Sequence, residues 1–170
     1  MNRSYGSEGI ALIECINPRL NKYRVRWDIQ PYFNANGENM GVSFVEKEFL
    51  YKPTIAEVKE TILNWMNEQT DNRIISGFVW NDMQVWLSSE NQFNYKAAYD
   101  LAVQTNGVNL PTVFKFGTTE EPIYHKFDTV EELSDFYIKA MKYINEQLAV
   151  GWYKKDNIDW SGYEEILNKI

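Results

Sequence analysis

The sequence predicts an α+β fold: three β-hairpins, each followed by an amphipathic helix, giving a mainly antiparallel sheet with helices packed on it and a short C-terminal helix. Three observations predict it. One order recurs three times along the chain: two strand-like runs, a polar cap, then apolar residues at steps of three and four. The three proposed caps, Thr54, Ser89 and Thr129, stand 35 and 40 residues apart. Short turns join the strand runs, and such turns make antiparallel pairs, whereas parallel pairs need long crossovers. The side chains between the caps differ from unit to unit, so the repetition is one of architecture.

Residues 1–8 are polar and read as a loose arm. In Tyr23 to Ile29, Tyr23, Val25, Trp27 and Ile29 fall on one face and charges on the other, the period of a half-buried strand. Asn34 to Gly37 supplies a turn, with Asn36-Gly37 suited to positive φ. Val42 to Tyr51 returns, and its mixed phase points to a bulge or an edge. Thr54 and Glu57 form a capping box, and Ile55, Val58, Ile62, Trp65 and Met66 line a helix expected to end near Asp71-Asn72.

Ile74 to Trp80 reads as the next strand, Asn81-Asp82 as a turn, and Met83 to Leu87 as the return. Ser89 with Gln92 suggests a second capping box, on a helix running to about Gln104 with Gly107 as its C′ residue. That helix is apolar on two sides: Phe93, Ala97 and Leu101 make one stripe, Tyr95, Tyr99 and Val103 another. Leu110 to Phe116 and Ile123 to Phe127 form the third hairpin, with Pro111 near a strand start, where proline is tolerated. Asp128 or Thr129 caps a helix carrying Val130, Leu133, Tyr137, Ala140, Met141, Ile144 and Leu148, expected to end at Gly151. A last short helix starts at Ser161, with Glu164 completing a box, and Trp152, Ile158, Trp160 and Tyr163 dock it. The organisation read from this is an N-terminal hairpin–helix module over 1–72, a hairpin–helix–hairpin–helix body over 73–150 and a docking tail over 151–170, together one compact unit.

Of the 170 residues, 44 % are hydrophobic and 15 % aromatic, enough apolar surface for a sizeable core. The net charge is −7, divided as −2 over residues 1–85 and −5 over 86–170, which would repel phosphate backbones and disfavours nucleic acid as a partner. Nothing approaches a membrane span or a signal-peptide core. The chain is expected to be soluble and cytoplasmic, or virion-associated. With Cys15 as the single cysteine no internal disulfide is available.

The chemistry available is narrow. His125, the single histidine, sits in Ile123 to Phe127 and reads as a solvent-facing strand residue, since a catalytic histidine needs a nucleophile to serve or a carboxylate to orient it. Cys15 reads as a small buried hydrophobe. Phosphate-cradling glycine loops and calcium loops are missing from the sequence, and no cofactor or metal is expected. Glu120-Glu121, Glu131-Glu132 and Glu164-Glu165 are paired carboxylates. The first pair lies in a turn and the others in first turns of helices, where acidic side chains suit the dipole. Catalytic residues are therefore not assigned, although a small carboxylate-dependent enzyme would hide its acids on distant strands. Trp27, Trp80 and Trp86 lie on hairpin strands and could form an exposed platform for sugars, the pattern of a carbohydrate-binding module, or could pack between sheet and helices.

Gly77-Phe78-Val79-Trp80, Val85 to Gln92, Leu110-Pro111, Phe116-Gly117 and Phe127 to Leu133 together resemble an uncharacterised domain of bacteriophage and prophage proteins found near tail-fibre assembly genes. The likeness spans about residues 73–150 and brings no catalytic residues with it. It implies a non-enzymatic accessory protein acting through protein–protein contacts in tail or fibre assembly. The contact surface expected is Tyr95 and Tyr99 on the two-sided helix, with Trp80, Trp86 and Trp27, or an open sheet edge. A protein partner, a second copy of the chain or a glycan fits this reading; nucleic acid and membranes do not.

Overall fold

The computed structural model describes residues 3–170. It is an α+β fold of eight strands and four α-helices, with all strand pairs antiparallel. Residue contacts divide it into two units, Met1–Asn64 with Ile158–Ile170, and Trp65–Asn157. The expected hairpins do not join into one sheet. The first hairpin belongs to a four-stranded sheet and the other two are separate two-stranded ribbons.

The first unit holds β1 (Arg3–Gly6), β2 (Ile13–Asn17), β3 (Lys22–Phe33) and β4 (Asn39–Phe49) in the order β1-β4-β3-β2. Part of the expected loose arm is thus a paired edge strand; the expectation for Met1 and Asn2 lies outside the described residues. The cause is Arg3. Its guanidinium binds the Asp28 carboxylate and donates to the backbone oxygens of Asp28 and Ser43 at 2.7 and 3.1 Å. Asp28 sits at φ +51, in a bulge where Trp27 pairs with Val45 and Gln30 with Ser43, so β3 carries the extra residue. Before the bulge, Tyr23, Val25 and Trp27 are buried as the alternation predicts; after it Ile29 leaves that phase and is only half-buried.

The opposite face of β3 and β4 is a charge ladder. Arg24 meets Glu48 at 2.7 Å, Arg26 meets Glu46 at 3.2 Å, and Lys22 also reaches Glu48. The first half of α1 (Ile55–Ser76) brings Val58 and Ile62 into the core of this unit. The Thr54–Glu57 capping box forms in both directions, Thr54 N–H to Glu57 at 2.8 Å and Glu57 N–H to Thr54 Oγ1 at 3.3 Å. Short α4 (Ser161–Lys169) buries Tyr163 and Leu167, and Tyr163 donates its hydroxyl to the Arg26 carbonyl at 2.8 Å. Glu164 does not close a box: Asp159 caps the Ser161 N–H, and Glu164 pairs with Lys59 instead. Trp152 is exposed.

The second unit holds the rest of α1, β5 (Phe78–Trp80), β6 (Met83–Val85), α2 (Ser89–Gln104), β7 (Thr112–Gly117), β8 (Pro122–Phe127) and α3 (Val130–Asp156). Two helices outrun their expected ends. α1 absorbs Ile74 to Ser76, because Ile74 is buried in the core from a helical face and Gly77 N–H still reaches Arg73 O at 2.9 Å. Tyr143 Oη donates to the same carbonyl at 2.8 Å. A Cβ at Gly77 would stand 2.2 Å from that hydroxyl, so the glycine admits the tyrosine. α3 passes through Gly151, which is buried against Thr70 of α1.

α2 is capped by Ser88 rather than Ser89: Ser88 Oγ accepts from Asn91 N–H at 3.3 Å, and Gln92 donates to Leu87 O at 2.7 Å instead of closing a box. It ends in a Schellman turn with Asn106, at φ +50, in the C′ place and Gly107 one residue later, donating to Ala102 O at 2.8 Å. Thr129 caps α3 through Glu132 N–H at 3.2 Å. The core collects Phe78, Trp80, Val85, Leu87, Tyr95, Phe116, Phe127, Leu133, Phe136 and Ala140.

Gly151 gives a test with an unusual sign. Glycine to alanine inside a helix normally stabilises by about 1 kcal/mol. Here a Cβ would stand 2.6 Å from Thr70 Oγ1 and 3.1 Å from its Cγ2, and Thr70 is itself buried. Gly151→Ala should therefore destabilise by about 1–3 kcal/mol in urea unfolding. Adding Thr70→Ala should recover much of the loss. A stabilised single variant would show that the two helices do not meet at Gly151.

Candidate functional site

Burial re-sorts the residues that the sequence nominates for contact. Tyr95 is 4 % exposed and Trp80 and Trp27 are each 3 % exposed, so none of the three is available to a partner. Tyr95 faces inward because the cap at Ser88 sets the helix phase, placing its ring against Phe114 and Phe136 with centroids 4.7 and 5.0 Å away. Burial pushes its phenol up to about 12. Tyr99 is half-buried and stacks on Tyr137 of α3 at 4.5 Å, the rings 18° apart. Trp80 lies edge-on to Phe136 and His125 and donates its indole N–H to Asp135 at 3.0 Å. The Asp135 carboxyl is held below its ordinary range by Lys139 first and by that indole second. A shared platform of Trp27, Trp80 and Trp86 is therefore not formed. Of the three, Trp86 alone is open, at 49 % exposure.

On α2 the stripe Phe93, Ala97, Leu101 is uncovered along its whole length, whereas of Tyr95, Tyr99 and Val103 the first is buried, the second half-buried and the third 45 % exposed. Phe93 is 71 % exposed, Leu101 48 %, and Ala97 between them is exposed as well. They stand at i, i+4 and i+8, one row along the outer face. Lys96 and Asp100 form an ion pair beside it. The sequence shows both stripes; only the position of the cap says which faces the core.

Each unit has a cleft of its own. In the first unit a cavity of about 420 Å³ is bounded by Lys52, Pro53, Thr54, Ile55, Glu164, Leu167 and Asn168. In the second a groove of about 430 Å³ runs between Trp86 and the turn end of the third hairpin, bounded by Gln84, Asn91, Lys115, Phe116, Gly117, Thr118 and Thr119. Of these, Trp86, Asn91, Phe116 and Gly117 fall within the sequence stretches quoted above as a motif. The others converge only through folding, since β6 and the β7–β8 turn lie 30 residues or more apart in sequence.

His125 is not solvent-facing. Pairing opposite Phe114 puts it on the inner phase of β8, edge-on to Trp80 and Phe127, with Nε2 2.9 Å from Glu132 Oε1. Cys15 is exposed rather than buried, because β2 is an edge strand paired only with β3. The carboxylate pairs are separated in use: Glu132 meets His125, Glu164 meets Lys59 and Glu165 meets Lys169. Among the described residues no group of three or more His, Cys, Asp or Glu side chains converges as a metal site would require. Among them, too, no helix is long and apolar enough to cross a membrane. No family model, curated protein or solved structure matches the chain.

The buried phenol of Tyr95 sets a pH window. Its pKa rises from 10 in the unfolded chain to about 12 in the fold, so the folded state holds the proton more tightly. The stability this carries is complete below pH 10 and is lost as pH climbs through 12, a change on the order of 2–3 kcal/mol. Denaturant unfolding between about pH 8 and 12 should show Tyr95→Phe losing less stability than the parent over that window. Parallel curves would mean that the phenol ionises in the folded protein as it does in water.

Proposed function

We propose that the chain is a non-enzymatic accessory protein that works by protein–protein contact, with the outer face of α2 as its contact surface. The observation that carries this is the uncovered row Phe93, Ala97, Leu101 on a helix that enters the core through Tyr95 and Ala102 on its other side. Leaving an aromatic ring 71 % exposed, with a leucine two turns further along the same row, forgoes favourable burial, about 1.5–3 kcal/mol for a fully buried side chain of this size, which a partner would supply. Small Ala97 at the centre of the row lets a second helix approach closely. Lys96 and Asp100 flank the row with both signs of charge, the arrangement of a polar rim around an apolar centre. The phage or prophage setting rests on the sequence resemblance over residues 73–150 and would make the partner a component of tail or fibre assembly.

A photo-cross-linking amino acid at Ala97, in the cells that make this protein, tests the contact. The expected result is one discrete protein adduct that Phe93→Ser with Leu101→Ser abolishes. The same probe at Lys142, whose side chain on α3 is 74 % exposed, should not give that adduct. The double variant should unfold within about 0.5 kcal/mol of the parent, because neither residue is part of the core. No adduct from position 97, or the same adducts from both positions, overturns the reading.

A further inference from the structure

The structure assigns a saccharide subsite, one that takes a pyranose ring, to the groove beside Trp86. The strand leading into α2 alternates: Val85 and Leu87 are fully buried, and Trp86 between them turns outward. Its indole stacks on no other ring and its N–H meets no acceptor among the described residues. The backbone beneath it is pinned, because Asn91 Nδ2 donates to Trp86 O at 2.8 Å. The side chain therefore leaves the backbone at a fixed place, at the edge of the groove.

The groups around that face suit a polyhydroxylated ring. Gln84 spends its amide N–H on Ser76 O at 3.0 Å and Asn91 spends its own on Trp86 O, which leaves two oriented carbonyl oxygens as acceptors for sugar hydroxyls. Thr118 Oγ1 accepts from Glu121 N–H at 3.0 Å, so its hydroxyl proton is free to donate. The Thr119 hydroxyl and the Lys115 ammonium have no partner among the described residues. A flat π-face lies under C–H groups and oriented polar groups surround it, and that combination recognises a pyranose. The volume of about 430 Å³ is in the range of small-ligand clefts.

Two competing ligands fit less well. A nucleic-acid base would bring phosphates to a chain of net charge −7, with Glu120 and Glu121 in the same turn. A proline-rich peptide wants an extended aromatic-lined groove, and here one open ring stands among hydroxyl, amide and ammonium groups. Lys115 further favours a sugar that carries a carboxylate.

The test uses the indole N–H cross-peaks of the ¹⁵N-labelled full chain, six in number for six tryptophans. Glucose, galactose, N-acetylglucosamine and glucuronate, with their oligomers, are titrated to about 100 mM, well past millimolar affinity. At least one should move the Trp86 peak saturably while the buried Trp80 and Trp27 peaks stay fixed. Trp86→Ala, followed by the backbone amide peaks of Thr118 and Thr119, should weaken that binding about tenfold or more with the Trp80 indole peak of the free protein unchanged, which certifies the fold. Lys115→Ala, a surface change, should weaken glucuronate more than glucose. No saccharide shift, or shifts produced only by a polyproline peptide or an oligothymidylate, overturns the assignment. Phe93 and Leu101 remain intact in both variants, so this result stands apart from that of the α2 contact.

Discussion

The second unit depends on the seating of one indole. Trp80 ends β5, and its ring lies 5.3 Å from Phe136 of α3, 5.4 Å from Phe127 and 5.0 Å from His125 of β8. Each tilted or edge-on pair adds about 0.5–1.5 kcal/mol beyond the area it buries. Its N–H would be stranded at this depth without Asp135, which accepts it at 3.0 Å. The carboxylate stands at the surface, where Lys139 balances its charge at 2.8 Å. One side chain thus joins two ribbons that share no hydrogen-bonded pairing with each other to the helix that covers them. Two-stranded ribbons are marginal alone, and these two are held by what packs on their inner faces.

The first unit solves the same problem with a charge. Arg26 is 5 % exposed, and its guanidinium meets Glu46 at 3.2 Å, Glu14 at 2.7 Å and the Ala11 carbonyl at 3.0 Å. Phe44 lies under the guanidinium, 5.4 Å away. A buried guanidinium is costly unless its donors are met, and here each of its nitrogens has an acceptor. Those acceptors come from β4, β2 and the segment before β2, so satisfying Arg26 sets β3 between β4 and β2. Its carbonyl also takes the Tyr163 hydroxyl, which ties α4 to β3. The carboxylates gathered on this face serve as counter-ions in a ladder, which is a structural use for acids that a sequence shows only as a tally.

The two units explain what was legible in the sequence and what was not. Local chemistry reads well: the Thr54 box, the Thr129 cap, the turn at Asn81-Asp82 and the alternation Tyr23, Val25, Trp27 are all present. Each is decided within a few residues. What fails is decided by distant partners. Gly151 looks like a stop, yet it is an opening for Thr70, 81 positions earlier in the chain. Arg3 turns a polar arm into a strand because Asp28 offers it a bulge. The Trp86 groove needs a hairpin turn that the strand itself says nothing about.

The exchange of stripes on α2 shows how small a local difference redirects a functional reading. Moving the cap by one residue rotates a helix by about 100° relative to the strand that feeds it. With Ser88 as N-cap, Asn91 and Gln92 both turn back to bind the Trp86 and Leu87 carbonyls, and these bonds fix the rotation. Tyr95 and Ala102 then fall toward Phe136 and the core, and Phe93, Ala97 and Leu101 fall outside. The same bonds hold the strand in the phase that buries Val85 and Leu87 and turns Trp86 out. The contact face of α2 and the open indole beside its N-terminus are therefore two consequences of one capping geometry, not separate surface accidents.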